Sequence, residues 1–451
     1  MAKRKEILII GGGPAAAVSA ATARNHYPGK NITVIKDKDT GVIPCGIPYM
    51  VNSLDKPENN IMSFDPIEEK GVEVIIDKVE KINRDKKNVE TKGGKIYSYE
   101  KLILAVGSSP VIPPIKGVEL DKVFSIKKDF SYLKNMVESI KESSNIVIIG
   151  GGFIGVEFAD EISKLKNKNV YLVEMLPELL GNSFDSDFSQ SAVEKLKESG
   201  VNILTGSRVS EISGSGRVEK VILNGGKEIN ADLVLLSIGG RPNVKLADEA
   251  GLQLGLKKGI WVDEYMRTVD TDIFAIGDCA EKRDFFTRKS TPVMLASTAS
   301  AEARIAGANL YELKVIRENK GTIAVYSTYV SGLVLGSAGL TETSARSENF
   351  DVAIGKAEGV DKHPGMLPGA NKLKVKLVFS KRSGILMGGQ VSGGHSAGEL
   401  INVIGMAIQK NITINELESY QVATHPYITP APTKYNLIVA AQDAAGDIWN
   451  N

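Results

Sequence analysis

Cys45 is one of two cysteines in a chain of 451 residues, and it stands in the stretch Gly41-Val42-Ile43-Pro44-Cys45-Gly46-Ile47-Pro48-Tyr49. Two prolines and a glycine shape the backbone tightly around the thiol. Pro48 fixes φ and suits the first turn of a helix. A helix starting there puts Cys45 near its positive end, which favours thiolate. A thiolate can attack a disulfide, cycle through a sulfenic acid, or donate charge to an oxidised ring stacked on it. The alternative is a small buried cysteine in a proline-rich turn. The other cysteine, Cys279, reads as a packing residue beside Asp278.

Two further stretches have the residue types that hold a dinucleotide. In the first, the β-branched run Ile7–Ile10 meets Gly11-Gly12-Gly13-Pro14-Ala15-Ala16. An alanine-rich helical pattern over 17–24 and a second apolar run, Ile32-Thr33-Val34-Ile35, follow. This is a strand–helix–strand unit with G-x-G-x-x-A at its first turn. Gly11 makes the turn, Gly13 lets backbone approach a pyrophosphate, and Ala16 keeps helix and strand close. In the second, Asn145-Ile146-Val147-Ile148-Ile149 precedes a full G-x-G-x-x-G, Gly150-Gly151-Gly152-Phe153-Ile154-Gly155. A helical pattern over 156–164 leads to the strand Val170-Tyr171-Leu172-Val173, which ends in Glu174. An acid about 20 residues past the glycines accepts the adenosine ribose hydroxyls and repels a 2′-phosphate, so NADH is favoured over NADPH. In the first copy Lys36 takes that place, with Asp37 next. Asp37 reaches a ribose hydroxyl, backbone holds the ribose, or both side chains face solvent.

A third segment, Thr271-Asp272-Ile273-Phe274-Ala275-Ile276-Gly277-Asp278, presents one carboxylate beside exposed amides at a strand end. That suits a polyhydroxyl chain such as ribitol; an Asp capping the next helix is the alternative. The helical pattern over 294–310 is rich in small residues and can pack close to a flat ligand. Apolar strands also end in Gly and Pro at 101–110 and 231–242, and Val111-Ile112-Pro113-Pro114 reads as an extended linker. From Gly321 onward alternating strands mix with helices and no further nucleotide motif occurs.

Composition sets the frame. The length calls for two to four domains. Hydrophobic residues at 42% and charged residues at 24% are ordinary for a globular protein. A net charge of +1 leaves no footprint for nucleic acid or anionic lipid. Two cysteines make neither a disulfide framework nor a metal site, and they fit a reducing cytoplasm. No apolar run approaches a membrane span, and the run behind Met1-Ala2-Lys3-Arg4-Lys5 is too short for a signal peptide.

The order of these motifs resembles the pyridine nucleotide–disulfide oxidoreductase superfamily across essentially the whole chain. The resemblance implies an α/β fold with two Rossmann-like domains, for FAD and NAD, and a C-terminal α+β dimerisation domain. The expected limits are 1–113 and 242–320 for a discontinuous FAD domain, 114–241 for the NAD(P)H domain and 321–451 for the dimerisation domain. The implied FAD contacts are Gly11, Gly13, Pro14, Ala15, Lys36, Ala105, Gly107, Gly277, Asp278 and Ala296. Those for NAD(P)H are Gly150, Gly152, Phe153, Ile154, Gly155, Glu174 and Gly239.

Relatives with an internal redox disulfide carry C-x-x-x-x-C, whereas here Met50 stands at the second position. The chain therefore looks like the single-cysteine branch: coenzyme A-disulfide reductases, NADH oxidases, NADH peroxidases and NADH:polysulfide reductases. Pro14 stands where the peroxidases carry a His, and Gly41 where several members carry a Ser. The branch implies that NADH reduces the flavin, which reduces an oxidised Cys45, which then attacks substrate sulfur. His425-Pro426-Tyr427 resembles the C-terminal His-Pro of disulfide reductases, so His425 and Tyr427 of a homodimer partner are the expected acid–base residues. Their alternative is a turn between prolines. Coenzyme A needs a base for its phosphates: Arg24 is the candidate, against a solvated helix end, with Tyr49 beside the thiol. The leading expectation is reduction of a small-molecule disulfide, persulfide or polysulfide; oxygen reduction and reduction of an electron carrier are the alternatives.

Overall fold

The computed structural model describes residues 3–316 and 321–449. The expected boundary at residue 320 lies outside the described residues. Short apolar runs form two parallel five-stranded sheets. The first orders Ile273–Ala275, Lys101–Leu104, Ile7–Ile10, Ile32–Lys36 and Glu73–Ile76. The second orders Val123–Ser125, Leu233–Leu236, Asn145–Ile149, Asn169–Val173 and Asn202–Leu204. In each, the strand entering the glycine turn is central and covered on both faces, which is why it reads as an unbroken apolar run.

The two units share more than the glycine motif. Each carries a three-stranded antiparallel meander, Val79–Asn83 to Ile96–Ser98 in one and Val209–Ser213 to Glu228–Asn230 in the other. The chain crosses between the units twice, and the crossings pair as a ribbon, Ser108–Pro110 against Gly240–Pro242. The segment that returns the chain to the first sheet, Ile273–Ala275, pairs with Lys101–Leu104.

The third unit is a five-stranded antiparallel sheet, ordered Val325–Val330, Leu333–Gly339, Leu386–Gly393, Lys372–Ser380 and Val352–Val360. Helices Ala397–Gln409 and Asn436–Trp449 pack on it. The second comes so close that a Cβ on Gly355 would lie 1.8 Å from the Ala440 carbonyl oxygen. The sequence pattern reports strands mixed with helices here and misses the last helix. It also misses Phe130–Glu142 and Ser186–Glu198, amphipathic surface helices with no motif.

Polar contacts, some of them buried, fasten the units together. Asp185, at the start of helix Ser186–Glu198, accepts hydrogen bonds from Gln390 Nε2 (2.6 Å), Thr343 Oγ1 (2.6 Å) and Lys376 Nζ (2.9 Å) of the third unit. Ser53 of the first unit donates to Glu161 Oε1 (2.8 Å) on helix Phe153–Ser163. Among the described residues no helix is long and apolar enough to cross a membrane.

Candidate active site

A continuous cleft of about 3210 Å³ runs between the two parallel sheets and along the edge of the third unit. That is several times the ~300–1,000 Å³ of a pocket for one small ligand. Each glycine turn opens onto it. Gly11 has φ +140° and Gly150 φ +110°, and a Cβ on either would strike the carbonyl of the neighbouring strand end, Ala105 or Ser237. Gly13 and Gly152 begin helices Pro14–His26 and Phe153–Ser163 without any side-chain cap, and a Cβ on either would meet nothing within 4 Å. Two uncapped helix N-termini with bare backbone facing a cleft are what two pyrophosphates require. The residues present therefore fit FAD and NAD(P)H.

Pro14, Ala15, Ala105, Gly107, Phe153, Ile154, Gly239, Gly277, Asp278 and Ala296 line the cleft. Gly155 does not. It is buried, and its Cβ would lie 1.9 Å from the Gly150 carbonyl oxygen, so it closes the turn rather than touching a ligand. Glu174 lines the cleft, and its carboxylate accepts from the Gly151 amide (2.5 Å) and the Leu176 amide (2.7 Å). Lys36 ends its strand as expected but does not line the cleft. It is buried, donates to the Asp39 carbonyl (2.7 Å) and lies over the Phe64 ring, while Asp37 and Lys38 face the cleft instead.

Arg24 also lies away from the cleft lining. Its guanidinium donates to the carbonyls of Pro28, Lys30 and Gly71, so its side chain ties down the end of its own helix. His425 and Tyr427 stand on an exposed loop and do not line the cleft of their own chain; His425 Nδ1 accepts from the Tyr427 amide (3.3 Å).

Asp278 sits where the sequence puts it, at the end of Ile273–Ala275. Gly277 before it has φ +71°, a conformation that favours glycine. A buried ion pair holds this turn: the Gly277 amide donates to Glu302 (2.8 Å), and Lys282 Nζ donates to the Gly277 carbonyl (2.6 Å). The Asp278 carboxylate accepts from Ser108 Oγ (2.7 Å) and Lys128 Nζ (3.0 Å). Burial pushes its carboxyl up, but the Lys128 charge, these hydrogen bonds and Lys282 outweigh it and hold it below the ordinary range.

Cys45 and Tyr49 line the same cleft, and the Cys45 residue is exposed to it. The helix expected at Pro48 is two short 3-10 turns, Pro44–Gly46 and Pro48–Met50. They supply no long helix dipole, and the expected lowering of the thiol pKa is reversed. Burial pushes the Cys45 thiol up, Glu157 and Asp278 push it further, and Lys128 opposes. Cys279 is fully buried, with Sγ 3.2 Å from the Ile276 carbonyl, in the packing role expected.

Sequence reading did not single out Lys128, Ser108 or Thr328. Lys128 follows a strand of the second unit and Thr328 belongs to the third, and neither sits in a motif. Thr328 Oγ1 donates to Glu157 Oε1 (2.8 Å). Tyr326 stacks on Phe153 (5.0 Å between centroids, 21° between planes) and Tyr329 on His395 (5.7 Å, 15°), so the third unit walls the cleft with aromatic rings.

Comparison with known proteins agrees with this geometry. The profile of the pyridine nucleotide-disulphide oxidoreductase family matches residues 5–303, and that of its dimerisation domain matches residues 325–435. The chain is 30% identical over 454 residues to a protein of Methanocaldococcus jannaschii named NADH oxidase, covering 98% of this chain and 99% of that one. It is 32% identical over 398 residues to the NAD(P)H coenzyme A polysulfide/persulfide reductase of Pyrococcus horikoshii, covering 86% and 88%. The solved structure of an NAD-dependent persulfide reductase from A. fulgidus superposes with a TM-score of 0.90 at 29% identity, covering 98% of this chain and 83% of that one.

Proposed function

The chain belongs to the pyridine nucleotide-disulphide oxidoreductase family, and from that premise we propose that it uses NADH to reduce a sulfur–sulfur bond through Cys45. The acceptor is a coenzyme A disulfide, a persulfide or a polysulfide. The observation that carries this reading is the placement of Cys45 in the cleft that both glycine cradles and Asp278 open onto, with Cys279 buried elsewhere.

Residues of both cradles would hold the family's cofactors: Gly11, Gly13 and Asp278 for FAD, Gly150, Gly152 and Glu174 for NADH. Bound FAD supplies hydride acceptance from the nicotinamide and two-electron delivery to sulfur. The chain's own part is placement and proton handling. The Cys45 thiolate attacks one sulfur of the substrate, forming a Cys45–sulfur bond and breaking the substrate S–S bond. The leaving thiolate takes a proton, and two-electron reduction of the mixed disulfide restores Cys45. In a homodimer, His425 and Tyr427 of the partner subunit are the proposed proton donors, since their loop is exposed and carries Ile428 66% exposed beside Tyr427. We assign the domain limits 1–113, 114–241, 242–320 and 321–451 and a cytoplasmic location on the same reading.

Oxygen reduction is the second reading, favoured by the name of the Methanocaldococcus jannaschii relative. NADH consumption under strict anaerobiosis with coenzyme A disulfide or polysulfide, set against consumption in air alone, separates the two. Turnover that needs oxygen and ignores every sulfur acceptor would remove the first. The mass of the adduct on Cys45 in the purified protein reads the same question: coenzyme A or extra sulfur supports the first reading, and a single oxygen supports the second.

A further inference from the structure

Between helix Ile414–Glu418 and the short turn Pro432–Lys434 the chain forms no helix or strand. The exposed His425 and Tyr427 stand in this stretch. A side chain on irregular backbone keeps one direction only if something holds that backbone. Within the stretch, residues 425–429 close a turn. The Ile428 and Thr429 amides both donate to the His425 carbonyl (3.1 Å each), and the His425 amide donates to Thr429 Oγ1 (2.9 Å). The Tyr427 amide occupies His425 Nδ1, so the neutral His425 ring carries its proton on Nε2.

This turn is fastened to a second loop. Residues 361–371 join strands Val352–Val360 and Lys372–Ser380. The loop is rooted at its base. The Asp361 amide donates to the Asn371 carbonyl (3.0 Å), and the Asp361 carboxylate accepts from the Asn371 amide (2.7 Å) and Nδ2 (3.0 Å). From this loop His363 reaches two points of the turn. Its backbone amide donates to the Pro426 carbonyl (3.0 Å), and its ring Nδ1 donates to the Thr429 carbonyl (2.9 Å). A carbonyl only accepts, so Nδ1 carries a proton in this bond. Among the described residues, these two are the hydrogen bonds that join 361–371 to 425–429. Lys362 adds its ammonium over the Tyr427 ring, 5.9 Å from the centroid.

We infer that His363 is a positioning residue for the proton donors that each subunit offers its partner. Its two bonds pin the turn on either side of Tyr427 to a loop rooted in the sheet. That fixes the direction in which His425 and Tyr427 project from the third unit. His363 acts through the turn rather than on the substrate. Without its ring bond, the turn keeps the Pro426 contact and swings at Thr429. The donor then meets the leaving thiolate less often in the productive orientation, and kcat falls. NADH binding belongs to the second parallel unit and is untouched.

The inference rests on the reading of His425 and Tyr427 as proton donors, and one arm of its test does not depend on that reading. In the full-length holoenzyme, His363→Ala removes the ring, His363→Phe keeps its bulk without the donor, and His363→Asn returns an N–H near the place of Nδ1. Hydrogen–deuterium exchange over residues 425–430 should quicken about 3- to 10-fold in the Ala and Phe variants, the effect of one lost hydrogen bond. In the same two variants kcat for the sulfur acceptor should fall by a similar factor, with KM for NADH unchanged. His363→Asn should recover both values towards the wild type. If His363→Ala fails to fold, His363→Phe decides alone. Unchanged exchange in the variants that lack the donor would overturn the inference. So would faster exchange with undiminished kcat, where the His425→Ala/Tyr427→Phe double variant is impaired. Wild-type turnover in that double variant would instead remove the proton-donor reading, and the exchange arm would then judge the clamp by itself.

Discussion

Lys128 Nζ lies 3.0 Å from Asp278 Oδ2 and joins the second parallel unit to the turn that closes the first. Asp278 is positioned from behind by the Lys282–Glu302 pair and from the cleft by Ser108. Lys128 is also the cation that opposes the rise of the Cys45 thiol pKa. One side chain thus acts on the Asp278 carboxylate and on the Cys45 sulfur.

Replacing Lys128 by Met removes both effects. FAD should dissociate several-fold more readily, because a part-exposed charged contact contributes less than the ~1.5–3 kcal/mol of a buried one. Cys45 alkylation at pH 7 should slow at the same time. Fluorescence release of flavin and the alkylation rate are the two readouts; a change in neither would count against the shared role.

The glycines of the second cradle should separate folding from binding. Gly155→Ala drives a Cβ to 1.9 Å from the Gly150 carbonyl oxygen and should cost about 1–3 kcal/mol of stability. Gly152→Ala meets nothing within 4 Å and should leave the melting temperature unchanged. It should nevertheless raise KM for NADH, because the new methyl occupies the space facing the cleft. Thermal melts and NADH titrations of both variants test this, and equal melting temperatures would contradict it.

Glu174 faces the cleft with both carboxylate oxygens held by backbone amides, so its charge is fixed in place. Glu174→Ala should narrow the preference for NADH over NADPH by about tenfold in kcat/KM, or ~1.4 kcal/mol. An unchanged ratio would place the discrimination elsewhere.

Asp185 links helix Ser186–Glu198 to the third unit. Burial raises its carboxyl, yet Thr343 and Lys376 outweigh burial and bring it down to about 2. A depressed acid pKa stabilises the fold above the unfolded-state value near 4, and that stability is lost as pH falls towards 2. The loss should amount to about 2 kcal/mol. Denaturant midpoints measured from pH 5 to pH 2 should fall for the wild type and fall less for Asp185→Asn.

Both cradles were legible in the sequence because their geometry is local. A strand, a turn that only glycine tolerates and a helix follow one another without interruption, and each residue type has a backbone reason to be there. The crossings near Pro110 and Gly240 were legible for the same reason. Lys128 and Thr328 were not, since their partners Asp278 and Glu157 lie 150 and 171 residues away. Glu157 is one of 54 acidic residues, and its desolvation follows from the approach of the third unit, which no local pattern reports. The proline-based expectation for Cys45 was misled by length: Pro44 and Pro48 each start a turn of three residues, too short to lower a thiol pKa. Lys36 sits at the expected strand end, but the following bend turns its ammonium to the Asp39 carbonyl.

The most direct test is the Cys45→Ser holoenzyme, assayed for NADH oxidation without oxygen in the presence of coenzyme A disulfide or polysulfide. Flavin content should match the wild type while reduction of the sulfur acceptor drops to the uncatalysed background. A variant that keeps its flavin and reduces the sulfur acceptor at the wild-type rate would show that electrons leave by a route other than this thiol.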